Sequence, residues 1–166
     1  IVEMTSSTCL LGHGSWADGR LGNGINSQVE INDYSLIDEF IGLSRQERYQ
    51  KMGDLSDQAA DHFRRLLPQA CANYRNILLL THVPPFREAC WHEGSISDDE
   101  FLPHFTCKAV GDTLMEIMLQ DPHSHLTVLC GHTHGYGEVD ILPNLHVKTS
   151  CATYGRPEIQ ELMIIE

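Results

Sequence analysis

Short runs of consecutive apolar residues are the clearest feature of this chain. Asn76–Thr81 contains four such residues in succession, and Leu126–Cys130 is a second short apolar segment. Runs of this kind are typical of strands buried on both faces, as in a parallel sheet. We therefore expect these two segments to be neighbouring internal strands.

Apolar residues recur at helical spacing between and after these two strands. A helix is expected to begin after Asn32 and to end at Gly42. Ser44 to Glu47 form a capping box that begins a second helix, which Gly53 and Asp54 are expected to interrupt. A third stretch has one apolar face, formed by Ala59, Phe63, Leu66, Leu67 and Ala70. A last amphipathic helix carries Val110, Leu114, Ile117 and Met118 on one face.

Further strands are predicted towards both ends of the chain. Ile1–Met4 and Thr8–Leu11 form a predicted hairpin, and Gly137–Leu142 and Leu145–Ser150 a predicted pair of strands. Glu158–Ile164 is predicted to be a closing strand. Helices that alternate with buried strands, followed by strands in succession, indicate an α/β fold with mixed β-sheets flanked by helices. No repeat or long linker divides residues 1–166, so a single domain is expected.

Composition narrows the classes of partner. The 166 residues include 11 Lys and Arg against 23 Asp and Glu, so the net charge is −12. Such a charge argues against binding to nucleic acid or to an anionic membrane, and it favours divalent cations as partners. None of the six cysteines forms a CxxC pair, and the sequence shows neither an export signal nor a membrane span. These features predict a cytoplasmic protein with reduced thiols.

Histidines follow both predicted internal strands. His82 lies in Thr81-His82-Val83-Pro84-Pro85, and His132 and His134 lie in Gly131-His132-Thr133-His134-Gly135. The carboxyl ends of strands in an open α/β sheet are where ligands bind. Three neutral imidazoles at neighbouring strand ends form a candidate metal site. The two glycines are expected to let the backbone turn tightly there.

These two segments resemble the last two ligand blocks of the calcineurin-like metallophosphoesterases, a superfamily of two-metal phosphatases and phosphodiesterases. The resemblance implies two packed β-sheets flanked by helices, with His82 and His132 on one metal ion and His134 on the other. It also implies a hydrolase that cleaves a phosphate mono- or diester by attack of a metal-bound hydroxide. Two divalent ions of Mn, Fe, Zn, Co or Ni would serve in the complete protein.

The ligand blocks of that superfamily's first half are absent from this chain. Asp-x-His, Gly-Asp and Gly-Asn-His-Asp/Glu have only imitations here, which are better explained as turns, caps or surface pairs: Gly22-Asn23, Gly53-Asp54, Gly111-Asp112 and Asp121-Pro122-His123. We therefore expect a domain that is incomplete at its N-terminus and contains no assignable catalytic acid. Such a chain would hold at most one metal ion, weakly, and would self-associate through exposed sheet edges. The alternative is a catalytically silent domain that acts as a binding or scaffold module.

Two loops supply further candidates. His13 and Arg20 lie in a Gly-rich loop after a strand, and in similar metallophosphoesterases the corresponding loop lies near the metal centre. The resemblance therefore implies that both contact the phosphate ester. Alternatively, His13 would contact an outer-shell carboxylate and Arg20 would pair with Asp18. Residues 86–107 are predicted to form an excursion that rims the pocket, with His92 as a substrate contact. Four residues of this excursion could alternatively form a zinc site: Cys90, His92, His104 and Cys107.

Overall fold

A six-stranded mixed sheet organises the fold of residues 1–165, which are the residues that the computed structural model describes. The strands are β1 (Val2–Glu3), β2 (Thr8–His13), β3 (Asn76–Thr81), β4 (Trp91–His92), β5 (Ser95–Ile96), β6 (His125–Cys130), β7 (Gly137–Leu142) and β8 (Leu145–Thr149). The α-helices are α1 (Asp33–Leu36), α2 (Arg45–Asn73), α3 (Leu102–Phe105) and α4 (Lys108–Gln120). Single 3₁₀ turns lie at Gly24–Asn26 and Arg87–Ala89. The α/β class with a mixed sheet flanked by helices is confirmed.

The centre of the sheet is parallel and its margins are antiparallel. The strands lie in the order β1-β2-β3-β6-β8-β7, and β2, β3, β6 and β8 run in the same direction. Leu79 of β3 lies opposite Leu11 on one side and Val128 on the other. The two apolar runs are therefore neighbouring internal strands, as predicted. Their carboxyl ends meet at a single edge of the sheet.

The two faces of this sheet are covered unequally. Alternate strand residues, among them Leu79 and Val128, are fully buried in one cluster with apolar residues of α2 and α4. On the opposite face Leu78 is half-buried, and Leu80 is 44% exposed. The expectation that β3 is buried on both faces is therefore wrong for one face. Successive side chains of a strand point in opposite directions, and the helices cover only one of them.

The long helix α2 begins as predicted and then continues without interruption. Ser44 N donates to Glu47 Oε2 (2.9 Å), and Glu47 N donates to Ser44 Oγ (3.4 Å), which completes the capping box. The predicted break at Gly53 is wrong, because glycine weakens a helix by only about 1 kcal/mol and the apolar face continues on either side. No helix within residues 1–165 combines the length and apolar character needed to cross a membrane.

The predicted helix over residues 32–42 is reduced to the single turn α1. The Asn32 side chain makes no capping hydrogen bond, and Ile37 has an extended backbone that ends the helix. The segment then bends, so that both Tyr34 and Phe40 pack against Trp16 and its neighbours. Long-range burial of these two rings overrides the helical spacing that the sequence shows.

At the end of the chain, one of three predicted strands does not form. The hairpin of β7 and β8 is present, but Glu158–Ile164 contains no strand. This segment is held through side chains, including an ion pair from Lys148 Nζ to Glu161 Oε2 (2.8 Å). Its alternating pattern has strand propensity, but its backbone pairs with no strand among the described residues. The prediction of a closing strand is therefore wrong for this structure.

The excursion predicted after β3 lies outside the six-stranded sheet. It contains a 3₁₀ turn, the two-residue strands β4 and β5 that pair only with each other, and the short helix α3. All six cysteines are free, and four of them are buried.

Candidate functional site

A cavity of about 630 Å³ opens at the carboxyl edge of the parallel strands. His82 follows β3, His132 and His134 follow β6, and Ser150 follows β8, so three strand ends contribute to its wall. The lining residues are Glu30, Ile31, Asn32, Asp33, His82, His92, Phe105, Gly131, His132, Thr133, His134, Ser150, Cys151, Ala152 and Tyr154. All three predicted metal ligands therefore line one cavity, at the carboxyl edge where open α/β sheets bind ligands.

Two of these histidines are in direct contact. The ring centroids of His82 and His132 are 4.8 Å apart, with the rings inclined at 63°. Trp16, only 8% exposed, stacks on His82 at 5.5 Å and meets His132 edge-on at 5.2 Å. Phe105 packs against His132 from another side. The histidine pair is consequently held between aromatic side chains whose rings restrict its rotation.

The surroundings keep both imidazoles neutral at physiological pH. Burial, with a smaller contribution from the neighbouring His82, lowers the pKa of His132 to about 4. Burial also lowers the pKa of His82, although this side chain retains access to solvent through the cavity. The negative charge of Asp33 opposes the shift at both histidines without reversing it. Neutral imidazole has the free lone pair that a metal ion requires.

Backbone carbonyl groups fix the tautomers of two histidines in the cavity wall. His132 Nε2 lies 3.1 Å from the His104 carbonyl oxygen, and His92 Nδ1 lies 3.0 Å from that of Thr133. A carbonyl oxygen only accepts, so each of these nitrogens donates its proton. His132 is neutral, so its Nδ1 is the unprotonated nitrogen. In the neutral tautomer that this contact selects for His92, the corresponding nitrogen is Nε2. Metal-binding histidines commonly show this arrangement, with the second nitrogen donating to a carbonyl or carboxylate.

The backbone of the second motif differs from the expected one. The left-handed conformation falls on His132 (φ 70°) and His134 (φ 59°), and neither Gly131 nor Gly135 has positive φ. The glycines are therefore not the residues that enable the turn. Left-handed backbone in residues other than glycine costs free energy and concentrates at functional sites.

Gly135 and Gly137 are required by close packing against the excursion. A Cβ atom at Gly135 would lie 2.3 Å from the Trp91 carbonyl oxygen, and one at Gly137 would lie 2.1 Å from the indole nitrogen. Either contact is far inside van der Waals distance. The absence of side chains here lets the excursion rest directly on the histidine turn.

His134 shares the cavity but packs differently from the other two histidines. Its ring contacts Tyr154, with centroids 4.7 Å apart and the rings at 74°. Throughout residues 1–165, no three or more His, Cys, Asp or Glu side chains are grouped closely enough to hold a metal ion. The structure thus brings His82 and His132 together and leaves His134 on the adjoining wall.

The sequence analysis did not identify two acidic residues at the cavity, Glu30 and Asp33, of which Asp33 fell within a predicted helix. Glu30 is paired with Arg45 and with Arg48, so its charge is already balanced. The Asp33 carboxylate has no hydrogen-bond or ion-pair partner within the described part of the chain, although its charge acts on His82 and His132. No local signal marks either residue, because their approach to the histidines is a product of long-range folding.

Of the three predicted substrate contacts, only His92 lines the cavity. His13 ends β2, but its ring packs against His62 (5.1 Å) and Phe63 on α2. Arg20 makes a two-point ion pair with Asp57, at 2.6 and 2.8 Å. Its guanidinium is therefore committed to a structural contact, and neither Arg20 nor His13 borders the cavity.

The residues of the alternative zinc site have separate partners. Cys90 Sγ contacts Ser97 Oγ at 3.4 Å, and burial raises the pKa of this thiol. His104 is 1% exposed, and its ring nitrogens face the hydroxyls of Ser27 and Tyr34. His92 donates to a backbone carbonyl, as described above. In this structure the four side chains serve packing and hydrogen bonding in different places.

The chain was compared with models of known protein families and with curated protein sequences. No family model matches it, and no curated protein has a matching sequence.

Proposed function

We propose that this cavity binds a divalent metal ion and forms part of the active site of a phosphoesterase. The observation that carries the proposal is the contact between His82 and His132, two neutral imidazoles from neighbouring strand ends. The two sequence motifs that carry the resemblance to the calcineurin-like metallophosphoesterases supply these side chains. The finer expectation, a two-sheet metallophosphoesterase core in a cytoplasmic enzyme, belongs to the same proposal.

The cavity residues fit a metal ion in chemistry and only in part in geometry. In favour, His132 has a free Nδ1, and two buried polar atoms beside the cavity lack hydrogen-bond partners, Thr133 Oγ1 and Trp16 Nε1. Against a preformed site, no three ligating side chains converge among the described residues. We assign His82 and His132 as the first ligands, with His134 on the adjoining wall. These ligands suffice for at most one ion.

A bound divalent ion would neutralise charge on the phosphate and lower the pKa of water. The residues of this chain contribute the remaining functions. His82 and His132 stay unprotonated at pH 7, and Trp16 and Phe105 exclude solvent from one side of the pair. His92 lines the cavity, and the Nε2 of its neutral tautomer can accept a hydrogen bond from a substrate hydroxyl. A volume of about 630 Å³ accommodates a small phosphate ester.

Metal binding is the first test, because it does not depend on turnover. Trp16 stacks on His82, so Co²⁺ bound at the pair should quench its fluorescence. Trp91→Phe removes the second tryptophan and isolates the signal of Trp16. In that background, His132→Asn should raise the dissociation constant for Co²⁺ at least tenfold, since asparagine tolerates the left-handed backbone but lacks the imidazole. His123→Asn, an exposed position outside the cavity, is the matched control.

Hydrolysis of p-nitrophenyl phosphate and of its bis-ester with Mn²⁺ tests the reaction. Slow turnover that disappears in His132→Asn and persists in His123→Asn would support an enzyme. Metal binding with no turnover of either ester would favour the silent binding module instead. If Co²⁺ neither quenches Trp16 nor binds by calorimetry at millimolar concentration, the proposed metal site is wrong.

A further inference from the structure

We infer that His104 is a positioning residue of the cavity, whose carbonyl group and ring hold two parts of the cavity wall in place. The inference deepens the proposed function and rests on it for the chemistry that His132 performs. His104 is 1% exposed and does not border the cavity, so it acts there only through other residues. Its carbonyl oxygen accepts a hydrogen bond from His132 Nε2 at 3.1 Å. The next residue, Phe105, packs its ring against that of His132, with centroids 5.4 Å apart.

The ring of His104 holds the second part of the wall, residues 28–33, which we call the wall segment. Residues 30–33 of this segment line the cavity. Ser27 precedes the wall segment, and its Oγ lies 3.0 Å from His104 Nε2. Tyr34 follows the segment, and its hydroxyl is hydrogen-bonded to His104 Nδ1. Both ends of the wall segment are therefore fastened to one buried imidazole.

The hydrogen bonds around this ring run in a consistent direction. Ser27 Oγ donates to the Glu100 carbonyl oxygen at 2.7 Å, so towards His104 Nε2 it is the acceptor. Nδ1 is then the unprotonated nitrogen, and it accepts from the Tyr34 hydroxyl. Burial lowers the pKa of His104 to about 4, which agrees with a neutral ring that has one donor and one acceptor. A side chain that cannot supply both would leave a buried partner unpaired and release one end of the wall segment.

The test measures the tautomer of His132 by long-range proton–nitrogen NMR in the absence of metal, and His132→Asn assigns the signals. His104→Leu removes both hydrogen bonds of the ring and should convert the single Nε2-protonated tautomer of His132 into a mixture of two. His104→Gln retains a donor and an acceptor and should restore the wild-type tautomer. The dissociation constant for Co²⁺ should rise about tenfold in His104→Leu, as for other residues that orient a metal ligand.

Tyr34→Phe and Tyr49→Phe form the matched pair, because each deletes one hydroxyl from a tyrosine whose ring packs against His104. Tyr34 bonds the imidazole, whereas the Tyr49 hydroxyl donates to the Gly24 carbonyl oxygen at 2.7 Å. Both variants should be less stable than the wild type in thermal unfolding. Only Tyr34→Phe should change the nitrogen signals of His132, so a loss of stability alone does not account for the expected result.

The outcomes separate this inference from the proposed function. If His132 keeps a single tautomer in His104→Leu and in Tyr34→Phe, the positioning role is refuted. It is also refuted if Tyr49→Phe changes the His132 signals as much as Tyr34→Phe does, or if His104→Gln behaves like His104→Leu. If the tautomer changes as expected but the wild type does not bind Co²⁺, the positioning role stands and the proposed metal site fails.

Discussion

The two faces of the central sheet carry similar apolar residues but bury them to different extents. Leu79 and Leu80 are consecutive leucines of β3, yet the first is fully buried beneath the helices and the second is 44% exposed. On the helix face, apolar side chains of the strands interlock with α2 and α4 in one cluster. On the other face, half-buried Leu129 lies beside the charged Lys148 of the neighbouring strand. Burial, and not residue type, decides which of these leucines stabilises the fold.

The largest effect on stability is expected when the neighbouring residues Leu79 and Leu80 are each replaced by alanine. Leu79→Ala should lower the free energy of unfolding by about 2–5 kcal/mol, because it leaves a cavity in the closed core. Leu80→Ala should lower it by less than about 1 kcal/mol, since solvent already reaches the side chain. Urea unfolding followed by circular dichroism measures both. Equal losses would show that the open face, the sheet face that carries Leu80 and is not covered by helices, is covered in solution.

The next effect tests how the helix layer is anchored to the loop after β2. Asp18 is 4% exposed, and its carboxylate accepts hydrogen bonds from Ala109 N at 2.8 Å and from Arg20 N at 3.0 Å. It therefore caps the N-terminus of α4 from a distant part of the chain. Asp18→Ala should cost about 1–3 kcal/mol, because two backbone donors lose their acceptor. Asp54→Ala, at an exposed position of α2, is the control.

The wild type and Asp18→Ala should also differ in how the free energy of unfolding depends on pH. Burial raises the pKa of the Asp18 carboxyl group, against the opposing effect of its hydrogen bonds. The folded protein therefore retains this proton to a higher pH than the unfolded chain, whose carboxyl titrates near 3.9. The contribution of Asp18 to stability should fall as the pH rises from about 4 through its raised pKa. If the stabilisation by Asp18 instead increased over this pH range, the raised pKa of its carboxyl group would be contradicted.

A smaller effect is expected for the ion pair on the outside of α2. Arg20→Gln removes both contacts with Asp57, which is itself exposed. The loss should be about 0.2–1 kcal/mol and should shrink at high salt, as for other surface ion pairs. Metal binding should not change, because Arg20 does not border the cavity. Weaker binding of inorganic phosphate by this variant would restore Arg20 as a substrate contact.

The smallest effect on stability is expected for Leu80→Lys, a substitution that also tests self-association. Leu80→Lys places a charge on the open face and should alter the free energy of unfolding by about 0.5 kcal/mol or less. If copies of the chain associate through this face, the substitution should shift the protein towards the monomer in sedimentation experiments. Association that is unchanged in Leu80→Lys would exclude this face and leave the sheet edges as the contact.

The elements predicted correctly are those whose signals are local or unmistakable. Four successive apolar residues in β3 and the capping box of Ser44 and Glu47 need no distant partner to be recognised. The break at Gly53 and the helix over residues 32–42 failed, because tertiary packing outweighed local preference in both. The prediction of a closing strand at Glu158–Ile164 failed because no neighbouring strand pairs with this segment among the described residues. Propensity without a partner does not make a sheet.

The site shows the same division between local and long-range information. Both strand ends with histidine were visible in the sequence, and the parallel pairing of β3 and β6 brings them together. Trp16 and Asp33 were not recognisable, because each reaches the histidines only through folding of a long irregular segment. Arg20 and His13, the substrate contacts predicted after β2, do not border the cavity. Their loop follows a strand of the same sheet, but its side chains turn towards α2.

The close fit of Trp91 over Gly135 and Gly137 has a consequence for the order of folding. The β4–β5 hairpin is local, but its seat exists only after β6, the histidine turn and β7 have come together. Docking of the hairpin should therefore be a late event, and its amide protons should exchange with solvent before those of β3 and β6. An intermediate that lacks this step would present His132 without the wall that contains His92. Docking of the excursion would then complete the cavity wall as the last step of folding. The complete cavity would exist only in the native state.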